Sequence, residues 1–292
     1  MKLCRYLKLE QETEFVNIKL EKDNKLFIDP FLLKTGESNF CRECYQKVEN
    51  FFQKLVKYAK EGKDKEAYKL VRNLYEREET RLGYSLKSYS GKGFSKTGGM
   101  ALYRNIKESQ AFSLGILEDI FDCAIMLDKI GEDKISDFIT SLIFLDLITF
   151  TQEKCKEYHI PIEEIEIVKK CWNSKEEKWE KIHTKLPLDK KKNPIVFTPK
   201  EIVDFHMMFS YQKIYQDFYI PFYEQQELQK GNEKLIIRYK NGRVQVNRKE
   251  LKKKYPCNKK KILELIHSRK EEYRNYKKKL LETKIPHISP TI

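Results

Sequence analysis

The sequence predicts a mixed α/β protein with a helix-rich N-terminal half, short strands, and a hairpin and a basic helix near the C-terminus. Three observations predict this class. Apolar residues recur at the helical period over much of residues 41–158. Strand-forming residues follow Pro161, and Asn241-Gly242 lies between two strand-like runs, which is a strong hairpin signal. The 292 residues, 40% of them hydrophobic, can bury one large core or two modest ones.

The first half begins with a short strand, 26–28, which we expect to end in a turn at Asp29-Pro30. Helical spacing then predicts five helices, and Gly62 and His159-Ile160-Pro161 supply stop signals. The predicted helices cover residues 41–61, 64–75, 100–112, 117–127 and 131–158.

The second half has a different character. We expect strands at 168–179 and 195–198, an aromatic helical segment at 199–223, a hairpin at 235–246 and a basic helix at 259–282. The change at Pro161 predicts a helix-rich domain over 1–160 and an α/β region over 161–292, or one continuous domain.

The compartment is predicted from apolar runs and cysteines. The run from Phe138 to Phe150 is interrupted by Asp146 and falls short of the ~20 residues that a membrane helix needs, so it predicts a buried helix. The N-terminus lacks the apolar stretch of a secretory signal, and we therefore expect a cytoplasmic protein without membrane contact. Seven scattered cysteines do not resemble a disulfide framework. Cys41 and Cys44 have no second ligand pair nearby, so we interpret them as helix residues rather than a zinc site.

The charge predicts an anionic partner. The net charge is +14, but residues 51–100 hold 12 Lys or Arg against 6 Asp or Glu, whereas residues 101–150 hold 4 against 9. An acidic middle with basic flanks suits a site where carboxylates hold metal ions and lysines hold a polyanion. Lysines on solvated faces are the alternative explanation.

The glycine-rich stretch at 88–99, SYSGKGFSKTGG, could hold phosphate. It lacks both glycines of a Walker P-loop, because Ser90 and Ser95 occupy their positions. We interpret it as a basic loop running into a helix, suited to a nucleic-acid backbone, and the alternative is a solvated loop without a ligand. The phosphate-binding residues that we predict here are Arg81, Lys87, Lys92 and Lys96.

A possible metal site lies at the start of the 131–158 helix. Asp133 and Asp137 are four residues apart and share a helix face, which suits Mg²⁺ with one or two carboxylates and water. Ser136 lies beside them, and Lys134 could contact nucleic acid. Alternatively, the acidic residues complement the helix dipole or face solvent.

Asp29 and Glu79 could join this pair in space as further catalytic carboxylates, because two-metal phosphodiester chemistry needs three or four ligands and a cation. For Asp29, an ordinary turn is the alternative. The histidines have no metal-binding spacing, and no serine elbow is present. Lys252, Lys253 and Lys254 precede the basic C-terminal helix and would add sequence-independent affinity for nucleic acid.

The chain resembles a family of largely uncharacterised prokaryotic proteins associated with mobile or anti-phage defence loci. The resemblance covers about residues 25–205 and is carried by FIDP (27–30), ETRLGYS (79–85), the glycine loop, GEDKISD (131–137) and IVFTPK (195–200). It implies a biological setting and gives weight to Glu79, Arg81, Asp133, Ser136 and Asp137, but carries no catalytic assignment.

From these observations we expect a protein of prokaryotic defence that acts on DNA or RNA, most plausibly as a Mg²⁺-dependent nuclease. The alternative is a non-catalytic nucleic-acid-binding or scaffold subunit of a multi-protein defence complex. A toxin-like enzyme acting on another substrate is a third possibility.

Overall fold

The structure is a computed structural model that describes residues 1–83, 98–128 and 130–283. This part of the chain contains fourteen α-helices and six strands, and the strands form three separate two-stranded sheets. The predicted mixed α/β class with a helix-rich first half is therefore confirmed.

Nine helices and one short strand occupy the region up to residue 157 that the structure describes. The helices are α1 (Leu3–Tyr6), α2 (Pro30–Thr35), α3 (Asn39–Lys60), α4 (Asp64–Val71), α5 (Gly98–Glu108), α6 (Gln110–Ser113), α7 (Ile120–Met126), α8 (Glu132–Leu142) and α9 (Phe144–Glu157), and the strand is β1 (Phe27–Ile28). A 3₁₀ turn lies at Glu78–Thr80.

The remaining elements alternate between hairpins and helices. They are β2 (Glu163–Asn173), β3 (Lys178–Leu186), β4 (Val203–Asp204), α10 (Tyr211–Ile214), α11 (Ile220–Lys230), β5 (Ile236–Arg238), β6 (Val244–Val246), α12 (Arg248–Lys254), α13 (Lys259–Ser268) and α14 (Lys270–Glu282). A π-helical turn at Tyr215–Tyr219 joins α10 to α11.

Each sheet is an antiparallel pair. β2 pairs with β3 from Glu163↔Leu186 to Asn173↔Lys178, with a bulge between Ile167 and Cys171. The hairpin β5–β6 surrounds Asn241-Gly242 as predicted. β1 pairs with β4, so residues 27–28 lie beside residues 203–204.

Two sequence expectations differ from the structure in a way that matters for the site. Asp29-Pro30 begins a helix rather than a turn, because Asp29 is the N-cap of α2 and Pro30 takes its first position. The predicted 131–158 helix is two helices, α8 and α9, bent by 72° at Ile143. Neither proline nor glycine stands at this bend, so the local sequence gives no sign of it.

The core joins both halves of the chain. Phe51 of α3 packs edge-on against Trp172 of β2 at 5.0 Å and against Phe138 of α8 at 5.7 Å between ring centroids. The predicted boundary near residue 160 is crossed by these contacts and by the β1–β4 pair. Within the described ranges, no single helix has the length and apolar character to cross a membrane. Of the described helices, only the bent pair α8–α9, taken together, reaches the length and composition of a membrane span.

Candidate functional site

The candidate site is built on α8, whose buried residues include the polar side chains Ser136, Asp137, Thr140 and Ser141. The Ser136 hydroxyl accepts a hydrogen bond from the amide of Ile28 at 3.0 Å, and the Ser141 hydroxyl accepts one from the amide of Tyr75 at 3.2 Å. Because a buried amide needs a partner, these hydroxyls fix β1 and the start of the 75–83 segment against α8. The segment runs antiparallel to the helix, from Ser141 back toward Asp133.

Arg77 fixes the 75–83 segment to the second sheet. Its guanidinium is 2% exposed, lies 4.2 Å above the Phe144 ring and donates to the backbone oxygens of Lys169 and Lys170 in β2. Thr80 donates its hydroxyl to the Arg77 oxygen at 2.9 Å and closes the 3₁₀ turn. The segment is therefore held by buried side chains at several points along its length.

The end of the segment lies beside Asp133. Asn24 is buried, and its side-chain amide donates a hydrogen bond to the backbone oxygen of Arg81 at 2.9 Å. The backbone oxygen of Asn24 accepts a hydrogen bond from the Gly83 amide at 2.9 Å. Gly83 has φ +131°, and a Cβ placed there would lie 3.2 Å from Asp133 Oδ1. The backbone thus comes close to this carboxylate in a conformation that only glycine adopts easily.

Asp23, Glu78 and Asp133 lie close enough to Glu76 to act on its pKa, and we call these four residues the acidic cluster. The pKa of Glu76 is raised to about 7, first by burial and then by the negative charges of Asp23, Asp133 and Glu78, whereas Lys169 acts to lower it. Lys169 brings a positive charge to this region. Its ammonium donates a hydrogen bond to the backbone oxygen of Glu76 at 2.8 Å and lies 3.5 Å from Glu78 Oε1. A carboxyl group with a pKa near neutrality can take up or release a proton at physiological pH.

Asp137, the second predicted metal ligand, lies one turn after Asp133 on α8 and is buried. Lys134 is exposed on the same turn. In residues 1–83, 98–128 and 130–283, no group of three or more His, Cys, Asp or Glu has an arrangement that could hold a metal ion. The predicted pair therefore has the shared face expected from its spacing, and Mg²⁺ binding stays a prediction.

Asp29 lies in a different neighbourhood from Asp133. Its two carboxylate oxygens accept the amides of Phe31 at 2.8 Å and Met208 at 2.7 Å, so it caps α2 and holds the 204–208 loop. Glu132 holds the same loop by accepting the Met207 amide at 2.8 Å. Burial raises the pKa of Asp29 to about 7, and the nearby carboxylates of Asp204 and Glu132 add to this effect, whereas the two amides lower it. The geometry gives Asp29 a structural role rather than the catalytic one that we expected.

Glu79 points toward β2. Its backbone oxygen accepts the Val196 amide at 2.9 Å, and its charge contributes to raising the pKa of Cys171, after the larger effect of burial. Successive side chains of a 3₁₀ helix point about a third of a circle apart. Glu78 can therefore approach the Lys169 ammonium, whereas Glu79 lies near Cys171.

Arg81 is buried rather than available to a polyanion. Its side chain is 2% exposed, pairs with Asp189 at 3.1 Å and donates to the Glu78 oxygen at 2.7 Å. Its φ of +56° is left-handed, as is common at the end of such a turn. We expected Arg81 to bind phosphate, but its guanidinium is buried and bound to Asp189 and Glu78 inside the protein.

The other predicted nucleic-acid ligands divide into two groups. Lys87, Lys92 and Lys96 lie outside the described residues. At the end of α12, Lys253 pairs with Glu250, and Lys254 pairs with the fully buried Glu227, whereas Lys252 is half-buried without an ion pair among the described residues. Lys254 therefore stabilises the packing of α12 on α11. Of the three predicted lysines, only Lys252 and Lys253 are left to contact a ligand outside the protein.

Cys41 and Cys44 are both buried core residues of α3. Burial raises the pKa of the Cys41 thiol to about 11 and raises that of Cys44 as well. A thiol with a raised pKa is a poor metal ligand, because metals bind the thiolate. The packing agrees with the interpretation of these cysteines as helix residues.

A second surface feature, which we call the basic groove, lies between α3, α4 and the β2–β3 hairpin and encloses about 320 Å³. Its aromatic surface comes from Tyr58, Trp172 and Trp179. Five cations and two carboxylates line it: Lys54, Lys69, Arg72, Lys170 and Lys178, with Glu66 and Glu177. The excess of positive charge suits an anion such as a nucleic-acid phosphate.

The comparisons with known proteins place the chain in one family. The family model described as a domain of unknown function (DUF8370) matches residues 7–210, which is well over half of the chain. The chain belongs to this family. The acidic cluster and the basic groove both lie inside the DUF8370 region, whereas α11–α14 lie after it. No curated protein and no solved structure matches the chain.

Sequence reasoning missed Glu76 and Asp23. Glu76 opens the run EREE, and this run of acidic residues was the available signal, but spacing alone did not show which of its members face α8. Asp23 lies in a loop whose position depends on Asn24, a contact between residues far apart in the chain. The predicted pair Asp133 and Asp137 thus lies on the helix that faces Glu76, but its spacing showed only part of the surroundings of this helix.

Proposed function

We propose that this DUF8370 protein acts on nucleic acid as a Mg²⁺-dependent nuclease whose reacting centre is the acidic cluster together with Asp137. The observation that carries the proposal is Glu76, a carboxyl group with its pKa raised to about 7 beside Asp23 and Asp133. Perturbed carboxyl groups in contact with other carboxylates are typical of sites that move protons.

Each residue has a role in this proposal. Asp133 and Asp137 would hold Mg²⁺ through carboxylate oxygens, and the ion would offset charge at the phosphate. Glu76 takes a proton from the attacking water as a new P–O bond forms, the P–O bond to the leaving sugar oxygen breaks, and solvent protonates that oxygen. Lys169 and Lys134 offset negative charge at the phosphate, together with Lys87, Lys92 and Lys96 of the predicted basic loop.

Cleavage assays with purified protein test this function. Labelled single- and double-stranded DNA and RNA are incubated with Mg²⁺ or with EDTA, and binding is measured in parallel. We expect Glu76→Gln to slow cleavage about 100-fold or more, the range typical of a lost general base, with little change in affinity. Asp133→Asn should abolish Mg²⁺-dependent cleavage or raise the Mg²⁺ concentration that it needs. Asp217→Asn, an exposed aspartate outside the cluster, is the control and should cleave at the normal rate.

The pH profile gives an independent measurement. If Glu76 acts as the base, the cleavage rate should rise with pH and level off above about pH 7, where the carboxyl group has lost its proton. The Glu76→Gln protein should lose this inflection. Absence of Mg²⁺-dependent cleavage on every substrate, with binding intact, would contradict the nuclease proposal.

The basic groove favours a second candidate function, a non-catalytic nucleic-acid-binding or scaffold subunit of a multi-protein complex. In that case Lys69→Glu and Lys170→Glu should weaken binding, whereas Glu76→Gln should leave both binding and the biological effect intact. A setting in prokaryotic anti-phage defence is supported by the sequence resemblance. A phage-plating assay that compares the wild-type protein with Glu76→Gln tests this setting.

A further inference from the structure

A separate groove lies in the C-terminal part of the chain, after the residues that the DUF8370 model matches. We call it the aromatic groove. It encloses about 690 Å³ between the end of the π-helical turn, α11, the residue that follows α12, and α13. Tyr219, Phe222, Tyr223 and Tyr255 supply its aromatic surface, and Lys261 and Arg269 supply its positive charges.

The four rings are in contact in a series, in which only Tyr223 and Tyr255 are stacked, whereas Tyr219 is tilted against Tyr223 and Phe222 meets Tyr223 edge-on. Tyr223 and Tyr255 are parallel within 20°, with centroids 3.9 Å apart, and Tyr219 lies 4.9 Å from Tyr223. Phe222, Tyr223 and Tyr255 are only half-buried, so parts of their rings face the groove. Arg269 lies 5.3 Å above the Phe222 ring, which places a guanidinium beside this surface. Such rings offer π-faces on which any nucleobase can stack.

The Tyr219 hydroxyl is the second observation that points to a ligand. Tyr219 is fully buried and lines the groove, and its hydroxyl forms no hydrogen bond of normal geometry within the described ranges, although the side chain of Tyr223 lies close enough to act on it. Burial, and to a smaller extent the neighbouring Tyr223, raises the pKa of Tyr219, so the hydroxyl keeps its proton. A buried hydroxyl without a partner is costly, and a ligand in the groove would supply an acceptor for it.

The surrounding charge selects the kind of ligand. Residues 251–292 contain 13 Lys or Arg and 4 Glu, with no Asp. Glu264 is the acidic residue of the groove and lies on the same helix as Lys261, and Arg269 also pairs with Glu272 at 3.0 Å. Lys261 is exposed and forms no ion pair with any described residue, and Lys260 beside it is exposed as well. An anionic ligand with aromatic rings therefore fits both the walls and the charge of the groove.

We propose that the aromatic groove binds single-stranded nucleic acid, with one or more unpaired bases stacked on Tyr223 and Phe222 and with phosphates near Lys261 and Arg269. Single strands are favoured over duplex because paired bases do not expose their faces to stacking. As an assignment of substrate class to the nuclease, this inference rests on the proposed function. Binding in the groove can be tested without cleavage.

The experiment measures fluorescence anisotropy of labelled dT₁₂ and rU₁₂ with the full chain in EDTA, so that metal-dependent cleavage does not interfere. Tyr219→Phe removes only the unpartnered hydroxyl and should weaken binding about fivefold, the effect of one hydrogen bond. Tyr276→Phe is the matched control, because the Tyr276 hydroxyl is also buried without a described partner but lies outside the groove. It should bind as the wild type does.

Salt dependence tests the phosphate contact. Lys261→Gln should make the slope of log affinity against log salt shallower by about 0.7, the value for one phosphate contact on a single strand. Lys279→Gln, an exposed lysine of α14 outside the groove, is the control for loss of one charge and should leave the slope nearly unchanged. Thermal unfolding of each variant should match the wild type, since neither lysine is in an ion pair with a described residue.

Three results would overturn the inference: equal affinity for single strands and duplex, equal effects of the groove variants and their controls, or equally tight binding of poly-glutamate. These failures are distinguishable from failure of the nuclease. Groove variants that bind normally while Glu76→Gln abolishes cleavage would reject the aromatic groove alone. Loss of binding in Tyr219→Phe, without cleavage by any form of the protein, would support the groove and reject the nuclease.

Discussion

Replacing Arg81 by Met separates a structural from a ligand-binding role for this residue. The guanidinium is 3.1 Å from Asp189 Oδ2 and 2.7 Å from the Glu78 oxygen, and the two charged side chains are 2% and 8% exposed. Methionine has a comparable length but no charge, so the substitution leaves Asp189 buried without its cation. We expect Arg81→Met to fold with a lower free energy of unfolding.

The magnitude follows from what Asp189 retains. Removal of one partner from a buried ion pair costs about 3–5 kcal/mol. Asp189 Oδ1 keeps hydrogen bonds from the amides of Lys191 and Asn193, at 2.8 and 2.9 Å, and the Asn193 side chain also donates to it. These bonds still stabilise the anion, so the loss should lie at the lower end, about 3 kcal/mol. At about 2–4 °C per kcal/mol, the melting temperature should fall by roughly 6–12 °C.

Urea unfolding, followed by the fluorescence of Trp172 and Trp179, measures the loss. Asp189→Asn and the double variant Arg81→Met/Asp189→Asn complete a thermodynamic cycle. The double variant should be more stable than Arg81→Met, because it contains no uncompensated buried charge. The penalty should also shrink as the pH falls. Burial acts to raise the pKa of Asp189, and Arg81 helps to hold it below its usual range, so an unpaired Asp189 takes up a proton more readily.

A result that refutes this reasoning is an unfolding free energy for Arg81→Met within about 0.5 kcal/mol of the wild type, the usual effect of a surface substitution. If that variant also lost affinity for nucleic acid, Arg81 would have the phosphate-binding role that the sequence predicts.

Three further predictions concern the packing around the site. Burial raises the pKa of Asp29 to about 7, so its stabilising contribution is complete below about pH 4 and is lost as the pH rises through 7. Asp29→Asn should remove this part of the pH dependence, which amounts to up to about 4 kcal/mol in the free energy of unfolding measured with urea. Lys277→Met should leave the fully buried Asp122 without its cation, destabilise the protein by about 3–5 kcal/mol and increase hydrogen exchange in α14. Gly99→Ala should destabilise the protein by about 1–3 kcal/mol in thermal unfolding, because its Cβ would lie 2.0 Å from a backbone oxygen of α4, whereas Gly131→Ala, with open space around it, should be nearly neutral.

The fold could be predicted where local signals decide structure. The amphipathic period of residues 41–61 predicts α3 within two residues of its bounds, and Asn241-Gly242 locates the β5–β6 turn. The bend at Ile143 could not be predicted, since no helix-breaking residue marks the junction. Both helices pack against β2, but α8 also packs against β1 and α9 against β3, which are contacts that no local pattern shows. The single strand predicted at 168–179 is wrong, since this range contains the turn of the β2–β3 hairpin. The turn was missed because the polar residues 174–177 carry no strong turn signal.

The site was predictable only in part, because its remaining members come together through tertiary contacts. Helical spacing placed Asp133 and Asp137 on one face, and that inference needs only the period of the helix. Glu76 comes near Asp133 because Arg77 fixes its segment to Lys170 of β2. Asp23 comes near Glu76 because Asn24 donates a hydrogen bond to the backbone oxygen of Arg81. Both contacts join residues more than fifty positions apart, beyond the reach of any local pattern.

The helical period also explains why the structure has two groups of carboxylates rather than one. Glu132 and Asp133 are neighbours in sequence, but successive side chains of an α-helix point about 100° apart. Glu132 therefore faces the 204–208 loop with Asp29, where backbone amides of Met207 and Met208 use the carboxylate oxygens. Asp133 faces Gly83 and Glu76, where the neighbouring groups are other carboxylates. Burial and neighbouring carboxylates raise the pKa of both Asp29 and Glu76 to about 7, but the two carboxylate oxygens of Asp29 already accept backbone amides, which fix Asp29 as a structural acceptor. This contrast is the physical reason for assigning proton transfer to Glu76 and its neighbours, and loop anchoring to Asp29.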